Sequence, residues 1–190
     1  EKSHCREIGL DFSLPKFYLS TTFFSMNILD MIIWQSIDDG KWMPNNIRNV
    51  NSSGIEAKIL FSLNHVSFEG NYAFTNSINE SKANSLDLSA GKQLLYVPKN
   101  KISISTFIDI YNWNIVLNQS FTDKVITSYK VGGDNYLDEF LLSNISLSRD
   151  LYTNLNISLK IENIFNKSYQ TYQNYPNPGR GYIVMINYNI

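Results

Sequence analysis

"NLNISLKIE", residues 154–162, decides the fold. Leu155, Ile157, Leu159 and Ile161 take every second place, and Asn154, Asn156, Ser158, Lys160 and Glu162 take the places between. Successive side chains of a strand point to opposite faces, so this stretch makes a ribbon that is apolar on one side and polar on the other. A helix would need its apolar residues three and four apart. The same division recurs in "REIGLDF" (6–12), "HVSFEGNYAFT" (65–75) and "ISISTFIDI" (102–110), and no sustained helical stripe competes with it.

The chain reads as about nine strands, at 4–13, 16–36, 46–63, 65–78, 94–111, 112–127, 138–149, 153–169 and 180–190. Several exceed the ~5–6 residues of an ordinary globular strand. Most reach the ~9–11 that cross a bilayer at a tilt. The links between them alternate in length. "SLPK" (13–16), "SLNH" (62–65), "YNWN" (111–114) and "RDLYTN" (149–154) are short, while "SIDDGKWMPNN", "NSINESKANSLDLSAGKQ", "SYKVGGDNYLDE" and "TYQNYPNPGR" are long. Outer-membrane barrels sort their connections this way, with tight turns on the periplasmic side and long loops outside.

Composition agrees and excludes several functions. Charged residues make up 17% of the 190 and aromatics 14%, against roughly 25% charged in soluble domains. The aromatics, among them Trp34, Trp42, Trp113, Tyr111 and Tyr152, gather near strand ends, as rings at a membrane interface do. A formal net charge of −1 leaves no basic field for nucleic acid. One cysteine, Cys5, makes no internal disulfide, and two histidines build no zinc motif. No nucleophile elbow, phosphate loop or His with paired carboxylates appears, so no catalytic residue is assigned and the protein is read as no enzyme. No metal or cofactor is expected either. "DDG" (38–40) and "GGD" (132–134) have the acidic flexibility of a Ca²⁺ loop, yet turns account for both.

An odd strand count puts the two ends of the chain on opposite sides of the membrane, whereas complete bacterial barrels have an even count. An open edge in lipid leaves orphan backbone groups at several kcal/mol each. The chain is therefore expected to be part of a larger barrel, with the remaining strands upstream; residues 1–30 carry no signal-peptide pattern. Two alternatives stay open on the residues alone: a small complete barrel with a turn hidden in 16–36, and a secreted β-sandwich binding module.

A resemblance narrows these. "IIWQ" (32–35), "WMPNNI" (42–47), "SSGIEAK" (52–58), "LLYVPKNK" (94–101), "IENIFNKSYQ" (161–170) and "YPNPGRGYIVMINYNI" (175–190) resemble the C-terminal barrel of TonB-dependent outer-membrane receptors, nearest to the cobalamin receptor branch. The resemblance implies an all-β antiparallel meander forming the C-terminal portion of a 22-stranded transmembrane barrel, over residues 1–190, with plug domain and N-terminal strands outside this chain. It implies active uptake of a large scarce nutrient such as vitamin B12 or an iron-siderophore in the bacterial outer membrane. The partners implied are the lipid bilayer, TonB through the plug, and the barrel-assembly machinery through a last strand ending at Tyr188 and Ile190. Asn163, Phe165, Asn166, Tyr169, Pro176, Pro178, Gly179 and Arg180 form the family motif. Loop aromatics and amides, which stack on and hydrogen-bond large ligands, make Trp42, Asn45, Asn46, Tyr136, Tyr172 and Tyr175 the candidate ligand contacts.

Overall fold

The computed structural model describes residues 1–36, 42–82 and 87–188. Its main body is one nine-stranded antiparallel sheet. The strands are β1 (Lys2–Leu14), β2 (Phe17–Ser36), β3 (Trp42–Leu63), β4 (Val66–Asn79), β5 (Asn100–Ile110), β6 (Trp113–Thr122), β9 (Phe140–Tyr152), β10 (Leu155–Glu162) and β13 (Gly181–Tyr188). They pair in that order, each with the next. Two small hairpins sit in the long links: β7 (Val125–Ser128) with β8 (Asn135–Leu137), and β11 (Gln170–Tyr172) with β12 (Tyr175–Pro176).

The registers keep the alternation in phase through the middle of the sheet, with shifts between Ile28 and Ile32 on β2 and between Leu155 and Asn156 on β10. Leu159 pairs with both Val184 and Leu147, while Lys160 pairs with Ile183 and Ser146. Following such pairs across the sheet, Ile8, Phe23, Ile55, Phe74, Ile102, Phe121, Leu141, Ile161 and Tyr182 fall on one face. Ser20, Lys58, Asn71, Ser103, Ser120 and Ser158 fall on the other. Burial shows what this sheet lacks. Among the described residues the buried apolar side chains are Val50 and Ile126, whereas Leu10 is 67% exposed and Ile186 67%. A β-sandwich would cover that apolar face with a second sheet, and among the described residues none does. The sandwich reading is set aside.

From Ile102 to Ile110 the apolar residues of β5 rise about 26 Å along the strand at ~3.3 Å per residue. At a tilt of ~40° this covers about 20 Å of membrane, close to the ~25 Å band of barrel proteins. Tight turns close one end. Pro15-Lys16, Asn64-His65 and Tyr111-Asn112 each join strands through two residues. Tyr111 (φ 46°) and Asn112 (φ 65°) both take left-handed backbone, the combination of a type I′ hairpin. Trp113, Tyr111 and Tyr152 are exposed at this rim, with the Arg149 guanidinium 5.2 Å from the Trp113 ring.

Four strand boundaries differ from the sequence reading by four residues or more. β3 begins at Trp42 rather than 46, because the β2–β3 ladder continues to the Ser36–Trp42 pair. This places Trp42, Asn45 and Asn46 in a strand rather than a loop, far past the apolar band. β5 begins at Asn100 rather than 94, because Tyr96 turns left-handed (φ 58°) and Pro98 has no N–H to pair. β6 ends at Thr122, where the Asp123 carboxylate accepts from the Lys124 N–H at 2.9 Å and turns the chain away. β10 ends at Glu162, where Asn163 and Asn166 turn left-handed (φ 48° and 51°).

Candidate functional site

At the end opposite the tight turns, the links 80–99, 123–139 and 163–180 fold into one another. Gln93 holds the first against the sheet. Its Oε1 accepts from the Ser77 N–H at 3.0 Å, and its Nε2 donates to Thr75 O and Val97 O at 3.2 and 3.3 Å. Asn79, wholly buried, donates to the buried Ser89 Oγ at 2.7 Å. Lys92 then reaches the second link, donating to Asp134 Oδ1 at 2.7 Å, while the Tyr129 hydroxyl donates to Gln93 O at 2.8 Å. Tyr96 joins all three. Its N–H donates to Ile126 O at 2.9 Å, and its ring stacks on Tyr172 with centroids 4.7 Å apart. Left-handed backbone at a bulky residue costs roughly 1–2 kcal/mol, so these contacts over-determine its position.

Charge and burial mark the same junction. The hydrogen bond from Lys92 holds the Asp134 carboxyl below the usual carboxylate range. Burial, and secondly the Tyr172 hydroxyl, push the Tyr96 phenol up. A carboxyl depressed in the folded state stabilises docking above its unfolded pKa and loses that contribution as pH falls through the folded value. Docking of the second link is therefore expected to be complete at neutral pH and to weaken below about pH 4. Lys92→Met should expose the 129–135 link to protease at pH 7 and flatten this acid dependence. The Asp134 carboxylate of "GGD" is thus committed to Lys92 and to the Lys130 N–H.

The family motif forms a second brace. Asn163, 5% exposed, donates through Nδ2 to Lys167 O at 2.9 Å and accepts through Oδ1 from the Lys167 N–H at 2.8 Å. Asn166 Oδ1 accepts from the Arg180 N–H at 2.9 Å. A Cβ at Gly179 would lie 2.6 Å from that same oxygen, so a side chain there would displace it. Tyr169 packs on Phe140 with centroids 4.8 Å apart, and Phe165 is exposed. "NIFNKSY" and "PNPGR", separated in sequence, therefore meet and set the entry to β13. Pro176 ends β12, and Pro178 follows it before the turn at Gly179.

Of the candidate contacts, Tyr172 and Tyr175 come together, edge to face at 5.6 Å, and remain 54% and 69% exposed. Tyr136 on β8 is exposed, with Lys124 Nζ 5.2 Å from its ring. The side chains of Trp42, Asn45 and Asn46 lie outside the described residues, as do Asp38, Asp39, Gly40 and Ile190. Sequence reasoning missed Tyr96, Gln93 and Lys92, whose roles depend on contacts far along the chain. The left-handed turn at Tyr96 has no glycine or asparagine to announce it.

Beneath the loops, a cleft of ≈180 Å³ is lined by Tyr96, Lys101, Asp123, Asp138 and Gln170. It adjoins a ≈510 Å³ trough down the polar face, lined by Glu56, Lys58, Asn71, Lys101 and Ser103. Lys58 pairs with Glu69 at 3.0 Å across this face.

An apolar face of membrane height, a polar opposite face, tight turns at one end and interlocked loops at the other define the wall of a transmembrane β-barrel, polar inside. The family model for the TonB dependent receptor-like β-barrel matches residues 1–164, and the chain belongs to that family. It is 25% identical over 195 residues to the vitamin B12 transporter BtuB of Vibrio vulnificus (strain YJ016), covering 99% of this chain and 30% of that protein. In fold it is similar to the ferric citrate transporter FecA in its unliganded form (TM-score 0.80, 18% identity, 99% of this chain and 31% of that one). It is similar also to the copper transporter OprC (TM-score 0.80, 13% identity, 99% and 31%). The chain spans about a third of the length of these relatives. The family is one of transport receptors rather than enzymes.

Proposed function

We propose that residues 1–190 are C-terminal wall of a 22-stranded outer-membrane active transporter. Its remaining strands and plug belong to sequence outside this chain, and TonB acts through that plug. The cargo is a large, scarce nutrient captured at the loop end, cobalamin or an iron-siderophore chelate. Tyr172, Tyr175 and Tyr136 offer exposed rings to it, and Trp42, Asn45 and Asn46 on the long β2–β3 hairpin are further candidate contacts. The polar trough lines the route inward. The last strand, with Tyr188 and Ile190, is read by the barrel-assembly machinery. The observation that carries this reading is the interlocked loop cluster, with its exposed rings, directly above a polar trough. It rests on the sequence likeness to a vitamin B12 transporter for the choice of cobalamin.

The test is deletion of the whole gene followed by uptake of radiolabelled cyanocobalamin and ferric siderophores, with and without a protonophore. Loss of protonophore-sensitive uptake of one of them supports the reading. Unchanged uptake of both, in cells lacking other receptors for them, overturns it.

A further inference from the structure

Three phenols meet at the loop end. Tyr96 of the 80–99 link and Tyr172 of β11 stack with centroids 4.7 Å apart and planes 10° from parallel, while Tyr175 of β12 meets Tyr172 edge to face at 5.6 Å and 65°. Among the described residues these are the two places where tyrosine rings touch each other. After burial, the Tyr172 hydroxyl is the next influence that raises the Tyr96 phenol, so the hydroxyl ends of the stack lie together. Position and access are divided between the two rings. Tyr96 takes left-handed backbone at φ 58°, which a side chain of its size rarely adopts, and its N–H is fixed on Ile126 O. A strained residue held in place by its surroundings points to a use for what it presents, here a ring at a fixed position. Tyr172 and Tyr175 are 54% and 69% exposed, so a soluble reagent reaches them first.

Phenol chemistry supplies the use. A one-electron oxidant takes an electron from a tyrosine, the hydroxyl proton leaves, and the phenoxyl radical carries unpaired spin on the ring carbons ortho to oxygen. Two such radicals join through those carbons, and the two displaced ring hydrogens return to the oxygens, giving a biaryl with both hydroxyls restored. The pair loses two electrons and two protons in all, and one hydrogen peroxide takes them up to become two waters. Free radicals must first collide, whereas rings already stacked react as one unit. We propose that Tyr96 and Tyr172 are an oxidative modification site, at which peroxide activated by a haem peroxidase or a redox metal forms a dityrosine bond that ties the 80–99 link to the 163–180 link. Tyr175 touches the stack edge-on and stays outside the bond. The site goes beyond the transport reading and rests on neither the cargo nor TonB.

The test treats the full-length receptor in mild detergent with hydrogen peroxide and a haem peroxidase. The monomeric gel band is then digested with trypsin and read by mass spectrometry and dityrosine fluorescence. The expected product joins peptide 93–99, whose one tyrosine is Tyr96, to peptide 168–180 with the loss of two hydrogens, and fragmentation places the bond on Tyr172. Tyr96→Phe and Tyr172→Phe keep the stacked rings and remove the hydroxyl that forms the radical, so each should lower this product at least tenfold. Tyr175→Phe should leave it in place. Heat-modifiable mobility on a gel checks that each barrel is folded. Absence of the product from the folded wild type, its persistence in Tyr96→Phe or Tyr172→Phe, or a bond found on Tyr169 or Tyr175 instead overturns the assignment.

Discussion

Gly54→Ala is expected to prevent most of the barrel from assembling. Gly54 lies in β3 between β2 and β4, and a Cβ there would run into the Phe74 backbone carbonyl and come within 2.7 Å of the Phe24 ring. A ring can rotate away; a carbonyl in a paired strand moves only if the ladder moves. Overpacking of this kind costs about 3 kcal/mol, a large part of the 5–15 kcal/mol by which folded proteins are stable. In the full-length protein the folded, heat-modifiable form should fall severalfold. The double variant Phe24→Ala, Gly54→Ala should recover little of it, because the carbonyl contact remains. Full recovery in the double variant would show that the ring alone occupies the space.

Asn163→Ala should be the next most damaging change. It removes both side-chain hydrogen bonds to Lys167 and leaves that residue's N–H and C=O without their partners beside a buried site. It also places alanine at φ 48°, which asparagine tolerates better. The expected loss is about 2 kcal/mol, two hydrogen bonds at about 1 kcal/mol each, read as a shift in urea unfolding of the full barrel in detergent. Asn163→Asp keeps the acceptor for the Lys167 N–H and should lose about half as much. An unchanged midpoint for Asn163→Ala would mean that the turn is held by the Asn166–Arg180 contact instead.

The sheet was readable from the sequence because its physics is local. Alternation in "NLNISLKIE" fixes which side chains share a face, and two-residue turns such as Asn64-His65 fix the register of neighbouring strands. The order of nine strands followed from that alone. The loop end was less readable because its contacts are distant along the chain. Tyr96 meets Tyr172, and Lys92 meets Asp134, across segments whose own composition suggests only strand or turn. β7 likewise reads as a continuation of β6, since Val125 and Ile126 have the residue types of a strand, while β8 lies in what reads as a link. For the family motif, resemblance located the residues; the structure supplies the reason, an asparagine oxygen that admits only glycine opposite it.

The central claim is that this sheet is a barrel wall with lipid on the Ile157–Leu159 side and water on the Ser158–Lys160 side. Cysteines placed singly at 156–161 in the full-length protein, spin-labelled and reconstituted in liposomes, test it most directly. Collision with oxygen should peak at 157, 159 and 161, and collision with a water-soluble nickel chelate at 156, 158 and 160. A profile without that two-residue alternation, or one with its phase reversed, would contradict the account.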